Sequence, residues 1–355
     1  MLCYDRAMRL PFEPHFPDTD WDHDLALNMP PVEKGPVFIM GLHRSGTTFL
    51  YDLLRHTLPL AGFELYHLFY FQRLLYNRHH NLESQDRATL NRLFQALNIH
   101  DRSLDAIHIS DATVEEYGWL IGAVDGVPHI TERNAGVLDL LCRKLMALSP
   151  EAAMVILKNP WDTGHAPGLL RHFPEARFVY IKRNPLAILR SEVNVLHTLL
   201  TGRQPFHALL SDFLLKPKGK LATHLAHGLW GVLRLLHEHL PRSVSAALFR
   251  RHTARRILVD LRRYRCDLQQ LPAERVCELD YDELVSDPVL VVARLARFLG
   301  VEPLTQVQAP PAQVRSQVAQ PTPFEQSFMQ RLAKAGLLGD GIPNGPVQAP
   351  GQSIH

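Results

Sequence analysis

Residues 41–48, Gly-Leu-His-Arg-Ser-Gly-Thr-Thr, combine two glycines, two basic side chains and three hydroxyls in one short stretch. The apolar run Val37–Met40 precedes them, and apolar residues at helical spacing follow Gly46. A glycine-bounded turn between a strand and a helix directs backbone N–H groups and a helix N-terminus toward one point, where an anion is stabilised. The stretch therefore predicts a binding loop for a phosphate or sulfate group.

This loop has the glycine spacing of the phosphate loop of ATPases and GTPases, but it lacks the lysine of that motif. Thr47 occupies the lysine position, and the loop arginine, Arg44, precedes the second glycine. Two apolar runs further along end in Lys158 and in Lys182-Arg183, not in the aspartate that would hold Mg²⁺. A kinase or ATPase that uses a nucleoside triphosphate is therefore the least favoured interpretation.

A second pattern that suits an anion lies between Arg177 and Asn194. Arg183 follows an apolar run, so we expect it at the carboxyl end of a strand, where open α/β sheets bind ligands. Ser191 follows eight residues later, about two turns into a helix whose first turn accommodates Pro185. A guanidinium fork together with a hydroxyl is suited to a phosphate monoester.

These two patterns, in this order, resemble the sulfotransferase family that uses 3′-phosphoadenosine 5′-phosphosulfate (PAPS), and its bacterial-type branch in particular. Residues 44–48 match the signature that binds the 5′-phosphosulfate, and Arg183 with Ser191 matches the signature that binds the 3′-phosphate. The resemblance covers about residues 35–300. The cofactor-binding residues that it implies are Arg44, Ser45, Gly46, Thr47, Thr48, Phe49, Arg183 and Ser191.

The resemblance implies a PAPS-dependent sulfotransferase that needs no metal. Arg44 and Lys158 would neutralise the leaving phosphate, since such transfers depend on positioning and electrostatics. Thr47 and Thr48 would hold the 5′-phosphate. Phe49 would either stack on adenine or pack in the core.

The resemblance does not identify the general base. Small-molecule members of the family carry a histidine base where this chain has Pro160. Glu116 is favoured over His165, and Glu115 and His43 are further candidates. Because no base is obvious, a non-catalytic family member that binds the nucleotide and a membrane or a protein partner stays an alternative.

The elements that must position these residues alternate between strands and helices. Four apolar runs predict parallel strands, at Val37–Met40, Met154–Leu157, Phe178–Ile181 and Val276–Leu279. We therefore expect an α/β fold, P-loop-like and three-layered, with a short, mostly parallel central sheet. The predicted divisions are an irregular N-terminal arm (1–34), the α/β domain (35–303) with a helical insertion or lid (203–272), and a Pro/Gln-rich tail (304–355).

Composition and charge limit the possible partners. The 38 basic and 36 acidic residues leave a net charge of +2, which does not favour nucleic acid as a partner. The four cysteines have neither metal-binding nor redox spacing. The acids and prolines of the N-terminus are unlike a signal peptide, and no apolar run reaches the length of a membrane span. We expect a cytoplasmic protein.

The insertion gives the only indication of the acceptor. Eight arginines and a single acid lie within residues 242–265, in a pattern typical of a basic amphipathic helix. One interpretation is a docked helix with a solvated face. The other is a lid at the surface of an anionic membrane that admits a lipid or another hydrophobic alcohol. The acceptor hydroxyl could belong to a lipid, sterol, polyketide, sugar or phenol.

Overall fold

The computed structural model describes residues 15–102, 107–202, 204–215, 219–239, 242–304 and 320–338. Its centre is a sheet of five parallel strands in the order β2-β3-β1-β4-β5. The strands are β1 (Val37–Met40), β2 (Leu60–Gly62), β3 (Met154–Lys158), β4 (Arg177–Lys182) and β5 (Val276–Asp280). The predicted α/β fold with a parallel sheet is confirmed.

The strands are apolar on both faces because helices cover both sides of the sheet. In β1, Phe38 and Met40 pack into one apolar cluster, and Val37 and Ile39 pack into a second cluster on the opposite face. All four residues are buried. This arrangement gives the three layers expected from the sequence.

Fifteen α-helices lie within the described residues. In chain order they are α1 (His23–Leu27), α2 (Thr47–Thr57), α3 (Leu65–Phe69), α4 (Leu74–His80), α5 (Glu83–Ala96), α6 (Gly118–Asp125), α7 (Ala135–Leu148), α8 (Ala166–His172), α9 (Pro185–Thr201), α10 (Pro205–Leu215), α11 (Gly219–His239), α12 (Arg242–Gln270), α13 (Tyr281–Ser286), α14 (Pro288–Leu299) and α15 (Pro323–Lys334). None of them is both long enough and apolar enough to cross a bilayer.

Two helix starts follow directly from the sequence. The Asn184 side chain accepts the N–H of Leu186 at the start of α9, and Asp287 accepts the N–H of Leu290 at the start of α14. Gly300 ends α14 in the left-handed conformation, with φ 65°. The first of these caps places α9, and with it Ser191, directly after β4.

Helix α12 is docked along the sheet in its second half. Asp267 accepts the hydroxyl of Tyr180 in β4 at 2.9 Å and the backbone N–H of Gly164 at 2.6 Å. Tyr264 donates to Glu278 of β5 at 2.7 Å. This half of the predicted insertion therefore contributes to the layer that covers β4 and β5.

Asp22 of the N-terminal arm and helix α15 of the tail are docked on the rest of the protein, whereas α1 buries no side chain. Asp22 is buried and forms an ion pair with Lys144 at 2.8 Å. In α15, Phe328 is fully buried, and Glu325 forms an ion pair with Arg190 of α9 at 2.7 Å. The tail composition suggests loose order, but the apolar face of α15 and this ion pair hold the helix against α9.

Candidate active site

The candidate site lies at the carboxyl edge of the sheet, where four strands end. The loop 41–46 follows β1, Lys158 ends β3, Arg183 follows β4 and Tyr281 follows β5. Strand β1 has β3 on one side and β4 on the other, so its loop lies at the centre of this edge. Open α/β sheets bind ligands at such a position.

Three residues of the loop have positive φ angles: Gly41 (143°), Arg44 (65°) and Gly46 (101°). A Cβ atom on Gly41 would lie 2.7 Å from the carbonyl oxygen of Ile181, and one on Gly46 would lie 2.5 Å from the ring of Tyr281. Both glycines are therefore required by conformation and by space. Arg44 also has a positive φ angle, but unlike glycine it carries a Cβ atom. This conformation therefore costs about 1–2 kcal/mol.

The structure brings the two anion patterns of the sequence into contact. The Nε atom of Arg44 donates to Ser191 Oγ at 3.0 Å, and Arg183 Nη1 donates to the carbonyl oxygen of Arg44 at 2.8 Å. The guanidinium of Arg183 lies 4.1 Å from the centre of the Tyr281 ring. Two arginines and a serine hydroxyl are thus held together beside the loop.

The hydroxyl of Ser45 also points to an anion. It is buried, and no hydrogen-bond partner for it lies within the described residues. A buried hydroxyl without a partner costs free energy, so an anion oxygen in the loop would satisfy it. Together with the positive φ angles and the adjacent arginines, this hydroxyl makes the loop fit a phosphate or sulfate group.

Thr47, Thr48 and Phe49 form the start of α2. Thr47 is buried and Thr48 is half-buried. Phe49 packs against the apolar cluster on its face of the sheet, which agrees with the packing alternative for this residue. Its stacking on adenine stays a prediction.

A charged pair lies between β3 and the start of α6. Lys158 is buried, and its Nζ atom lies 3.4 Å from Glu116 Oε1. Burial raises the pKa of Glu116, but the positive charges of Lys158 and, to a smaller extent, Arg102 outweigh the effect of burial, so the pKa falls below its usual range. Glu116 is therefore an ionised carboxylate at neutral pH.

The position of Glu116 depends on a network of buried hydrogen bonds. Tyr117 donates to Asp162 Oδ2 at 2.6 Å, and Asn159 donates to the same oxygen at 2.6 Å. A Cβ atom on Gly118 would lie 2.6 Å from Asn159 Oδ1. The start of α6 is thus held closely against the segment after β3, which brings Glu116 to Lys158.

Glu115, the neighbouring candidate base, serves a different purpose. It is buried, it pairs with Arg102 at 3.3 Å, and its Oε1 atom accepts the N–H of Glu116 at 3.0 Å. These contacts are internal to the fold and stabilise the turn before α6.

The two candidate histidines lie in different surroundings. His43 packs edge-on against Trp161, with ring centres 5.3 Å apart, and burial lowers its pKa to about 4. His165 stacks on His129 at 3.9 Å, and burial together with His129 and Arg263 lowers its pKa to about 4. Within the described residues, no hydrogen bond, ion pair or ring contact joins His165 to Lys158 or Glu116. The structure therefore groups Glu116 with Lys158 and leaves His165 in a separate cluster.

Several residues of this region have no role in the sequence analysis. Tyr281 supports Arg183, and its position directly after a predicted strand could have indicated it. Arg256 of α12 forms an ion pair with Glu192, which adjoins Ser191. No sequence signal marks the pair of Arg256 and Glu192, because it depends on how α12 docks.

Across the described residues, no group of three or more His, Cys, Asp or Glu side chains is arranged to hold a metal.

Comparisons with known proteins identify a family model and structures of similar fold. The model of the sulfotransferase family matches residues 36–228 and 231–306. The structure of the sulfotransferase STF9 from Mycobacterium avium is 18% identical in sequence and superposes with a TM-score of 0.51. The match covers 88% of this chain and 71% of the STF9 chain. STF1 from Mycobacterium tuberculosis H37Rv is 18% identical over 80% of this chain and 72% of its own, with a TM-score of 0.48. A search of curated proteins gave no match.

Proposed function

Because the chain belongs to the sulfotransferase family, we propose that it transfers a sulfuryl group from PAPS to a hydroxyl of a small-molecule or lipid-like acceptor. The contact between Arg44 and Ser191 carries the choice of donor. This contact puts the cation that follows β1 next to the hydroxyl that follows β4, so neighbouring groups could bind the two phosphates of one nucleotide.

The basic side chains and hydroxyls of the site would form two groups, one for each phosphate-bearing end of that nucleotide. Arg183 and Ser191 would hold the 3′-phosphate. The loop would hold the 5′-phosphosulfate through Arg44, the orphaned Ser45 hydroxyl and the backbone N–H groups at the start of α2, with Gly46, Thr47 and Thr48 shaping that end. The bond from Arg183 to the Arg44 carbonyl couples the two halves.

When bound, PAPS supplies a sulfuryl group whose sulfur forms a bond to the acceptor oxygen as its bond to the phosphate oxygen breaks. Glu116 would accept the proton of the acceptor hydroxyl, since its carboxylate is ionised and lies beside Lys158. The Lys158 ammonium and Arg44 would stabilise the negative charge of the released phosphate. His43, which is uncharged at neutral pH, is the second candidate for the base. His165 is the weakest candidate, because it lies in a separate cluster.

A helical surface supports the proposal of peripheral membrane contact. Helix α11 exposes a row of apolar side chains at helical spacing, and the following helix α12 exposes arginines, including Arg251, Arg255 and Arg262. The apolar row consists of Leu225, Leu229, Val232, Leu233 and Leu236. Exposed apolar side chains on one helix and exposed cations on the next are the two features that binding to an anionic lipid surface requires.

Co-sedimentation with vesicles tests this surface. We expect binding to vesicles containing phosphatidylserine at low salt, and loss of binding in the double variant Leu229→Gln/Leu236→Gln. Equal recovery with neutral and anionic vesicles, or a concentration-dependent dimer through this row, would contradict the proposal.

The donor is tested by thermal unfolding with 3′-phosphoadenosine 5′-phosphate, AMP and ATP–Mg²⁺. A ligand that binds only the folded state adds about 2.7 kcal/mol at a hundred times its Kd. We expect the 3′-phosphorylated nucleotide to stabilise the protein most, and Ser191→Ala to remove most of its advantage over AMP. Thr198→Ala is the matched control, because that hydroxyl on the same helix bonds only to its own helix backbone. Equal stabilisation by all three nucleotides, or by ATP–Mg²⁺ alone, would refute PAPS as donor.

A further inference from the structure

The helical insertion contacts the candidate site through Arg256 of α12. The Nη2 atom of Arg256 donates to Glu192 Oε2, and Glu192 directly follows Ser191 in α9. Arg256 also acts on the loop after β1. Burial is the main cause of the low pKa of His43, and Arg256 contributes more to it than any other positive charge. Arg256 therefore lies close both to the loop and to the part of α9 that carries Ser191.

The two members of this ion pair differ in exposure. The side chain of Glu192 is 7% exposed, whereas that of Arg256 is 47% exposed. Burial raises the pKa of Glu192, and the charge of Arg256 is the strongest effect that opposes burial. A buried carboxylate needs a cation beside it, because water does not stabilise its charge. The insertion supplies that cation to a carboxylate of α9.

Glu192 also interacts with the arginine of the loop. Arg44 donates from Nε to Ser191 Oγ at 3.0 Å, which places its guanidinium at the residue next to Glu192. The charge of Arg44 lowers the pKa of Glu192, though less than the charge of Arg256 does, and the charge of Asp260 in α12 raises it. Glu192 is therefore attracted by two arginines, one from the insertion and one from the loop.

The ion pair determines how strongly Arg44 can bind an anion. While Arg256 neutralises Glu192, the positive charge of Arg44 is available to a bound phosphate or sulfate group. Without Arg256, the Glu192 carboxylate would attract Arg44 and compete with the ligand for the same guanidinium. This competition is strong where water is largely excluded, because charges are weakly screened there.

On the premise of the proposed function, we infer that Arg256 is a positioning residue of the donor site. By pairing with Glu192, it keeps this carboxylate from competing with PAPS for Arg44. The docking of α12 therefore controls the affinity for the donor. This gives the helical insertion a role in donor binding that is separate from any contact with a membrane.

Calorimetry with 3′-phosphoadenosine 5′-phosphate tests the inference, at pH 8 so that Glu192 stays ionised. We expect Arg256→Met to weaken binding about tenfold, an effect typical of charges coupled in one network. Arg256→Lys keeps the charge and should retain most of the affinity. Arg255→Met is the matched control, because Arg255 is exposed and forms no hydrogen bond or ion pair within the described residues. Unchanged binding in Arg256→Met, or an equal loss in the control, would overturn the inference.

A second substitution separates competition by the carboxylate from structural support by the ion pair. Glu192→Gln removes the competing charge, so the double variant Arg256→Met/Glu192→Gln should bind the nucleotide about as tightly as the wild type. If Arg256 only supported the fold, the second substitution would not restore binding. A double variant that binds as weakly as Arg256→Met would therefore contradict the inference.

The single variant Glu192→Gln gives a test that does not depend on the stability of Arg256→Met. No carboxylate at position 192 then competes for Arg44, so we expect binding equal to that of the wild type or tighter. Weaker binding would show that the carboxylate supports the site and would refute the inference. The wild type tests the premise: if it does not bind the nucleotide, the proposed donor and the inference are both wrong. If the wild type binds and the variants fail these tests, only the inference is wrong.

Discussion

The candidate site has two sides that are built differently. The proposed donor side consists of loop 41–46, Arg183 and Ser191, and its shape comes from the backbone: positive φ angles, two obligatory glycines and a bond to a loop carbonyl. The proposed acceptor side consists of Glu116, Lys158, His43 and Trp161, and its shape comes from packed side chains. Because backbone geometry tolerates few substitutions and side chains tolerate more, the donor side should be the invariant part of the chemistry and the acceptor side the adjustable part.

The largest effect should follow from a change of the donor-side backbone. Gly46→Ala places a methyl group 2.5 Å from the Tyr281 ring at a φ of 101°. Strain and overpacking together should lower the free energy of unfolding by about 2–5 kcal/mol, with binding of 3′-phosphoadenosine 5′-phosphate lost. Denaturant unfolding and calorimetry measure the two effects.

Gly136→Ala provides the control for that experiment. Gly136 lies in α7 with nothing within 4 Å of a Cβ atom, so alanine there should be neutral or stabilise by up to about 1 kcal/mol. Similar losses at both glycines would show that loop geometry is not the cause.

The next effect should come from the acceptor side and spare the donor side. Glu116→Gln should lower kcat by about 10²–10⁴-fold while nucleotide affinity stays unchanged, since the amide cannot accept the proton. Glu115→Gln should instead lower stability by about 1–3 kcal/mol, because it weakens a buried pair with Arg102. Full turnover in Glu116→Gln would exclude this residue as the base.

A smaller effect should distinguish shape from charge on the donor side. Arg183→Lys keeps the positive charge but loses the planar contact with Tyr281 and the fork that reaches the Arg44 carbonyl. We expect about tenfold weaker binding of 3′-phosphoadenosine 5′-phosphate and little change for AMP, by calorimetry. Equal weakening of both nucleotides would contradict a specific role at the 3′-phosphate.

The smallest effect concerns pH. Because the pKa of Glu116 is lowered, its carboxylate stays ionised as the pH falls. The carboxylate is protonated only below the pH at which a glutamate usually titrates. His43, with a pKa of about 4, stays uncharged over the same interval. We therefore expect kcat for a neutral acceptor to be flat between pH 6 and 8, and a step near pH 6.5 would point to an exposed histidine as the base.

The difference between the backbone-built donor side and the side-chain-built acceptor side also explains which features could be predicted from the sequence. Four strands were predicted as apolar runs, and each is confirmed within one or two residues of its ends. Strand β2 was missed because its three residues, between Pro59 and Phe63, are too few to show a strand period. Arg44, Arg183 and Ser191 could be picked out because local spacing marks a residue at a strand end or on a helix turn.

The arrangement of the acceptor side could not be predicted from the sequence, for a physical reason. Whether Glu116 or His165 reaches Lys158 depends on the bonds that Asp162 makes to Tyr117 and Asn159, across 45 and three positions of the chain. No local pattern encodes such a network. Trp161 was missed for the same reason, because its partners come from the loop after β1 and from α6.

The place of β1 in the sheet has a consequence for biosynthesis. Its two hydrogen-bonding neighbours start at Met154 and Arg177, more than a hundred residues downstream. During translation, Val-Phe-Ile-Met would leave the ribosome long before either neighbour and stay unpaired on both edges. Non-local parallel pairing is slow, and exposed apolar edges aggregate. A nascent chain that ends before β4 should therefore depend on a chaperone, and stalled fragments of this length should be the first to precipitate.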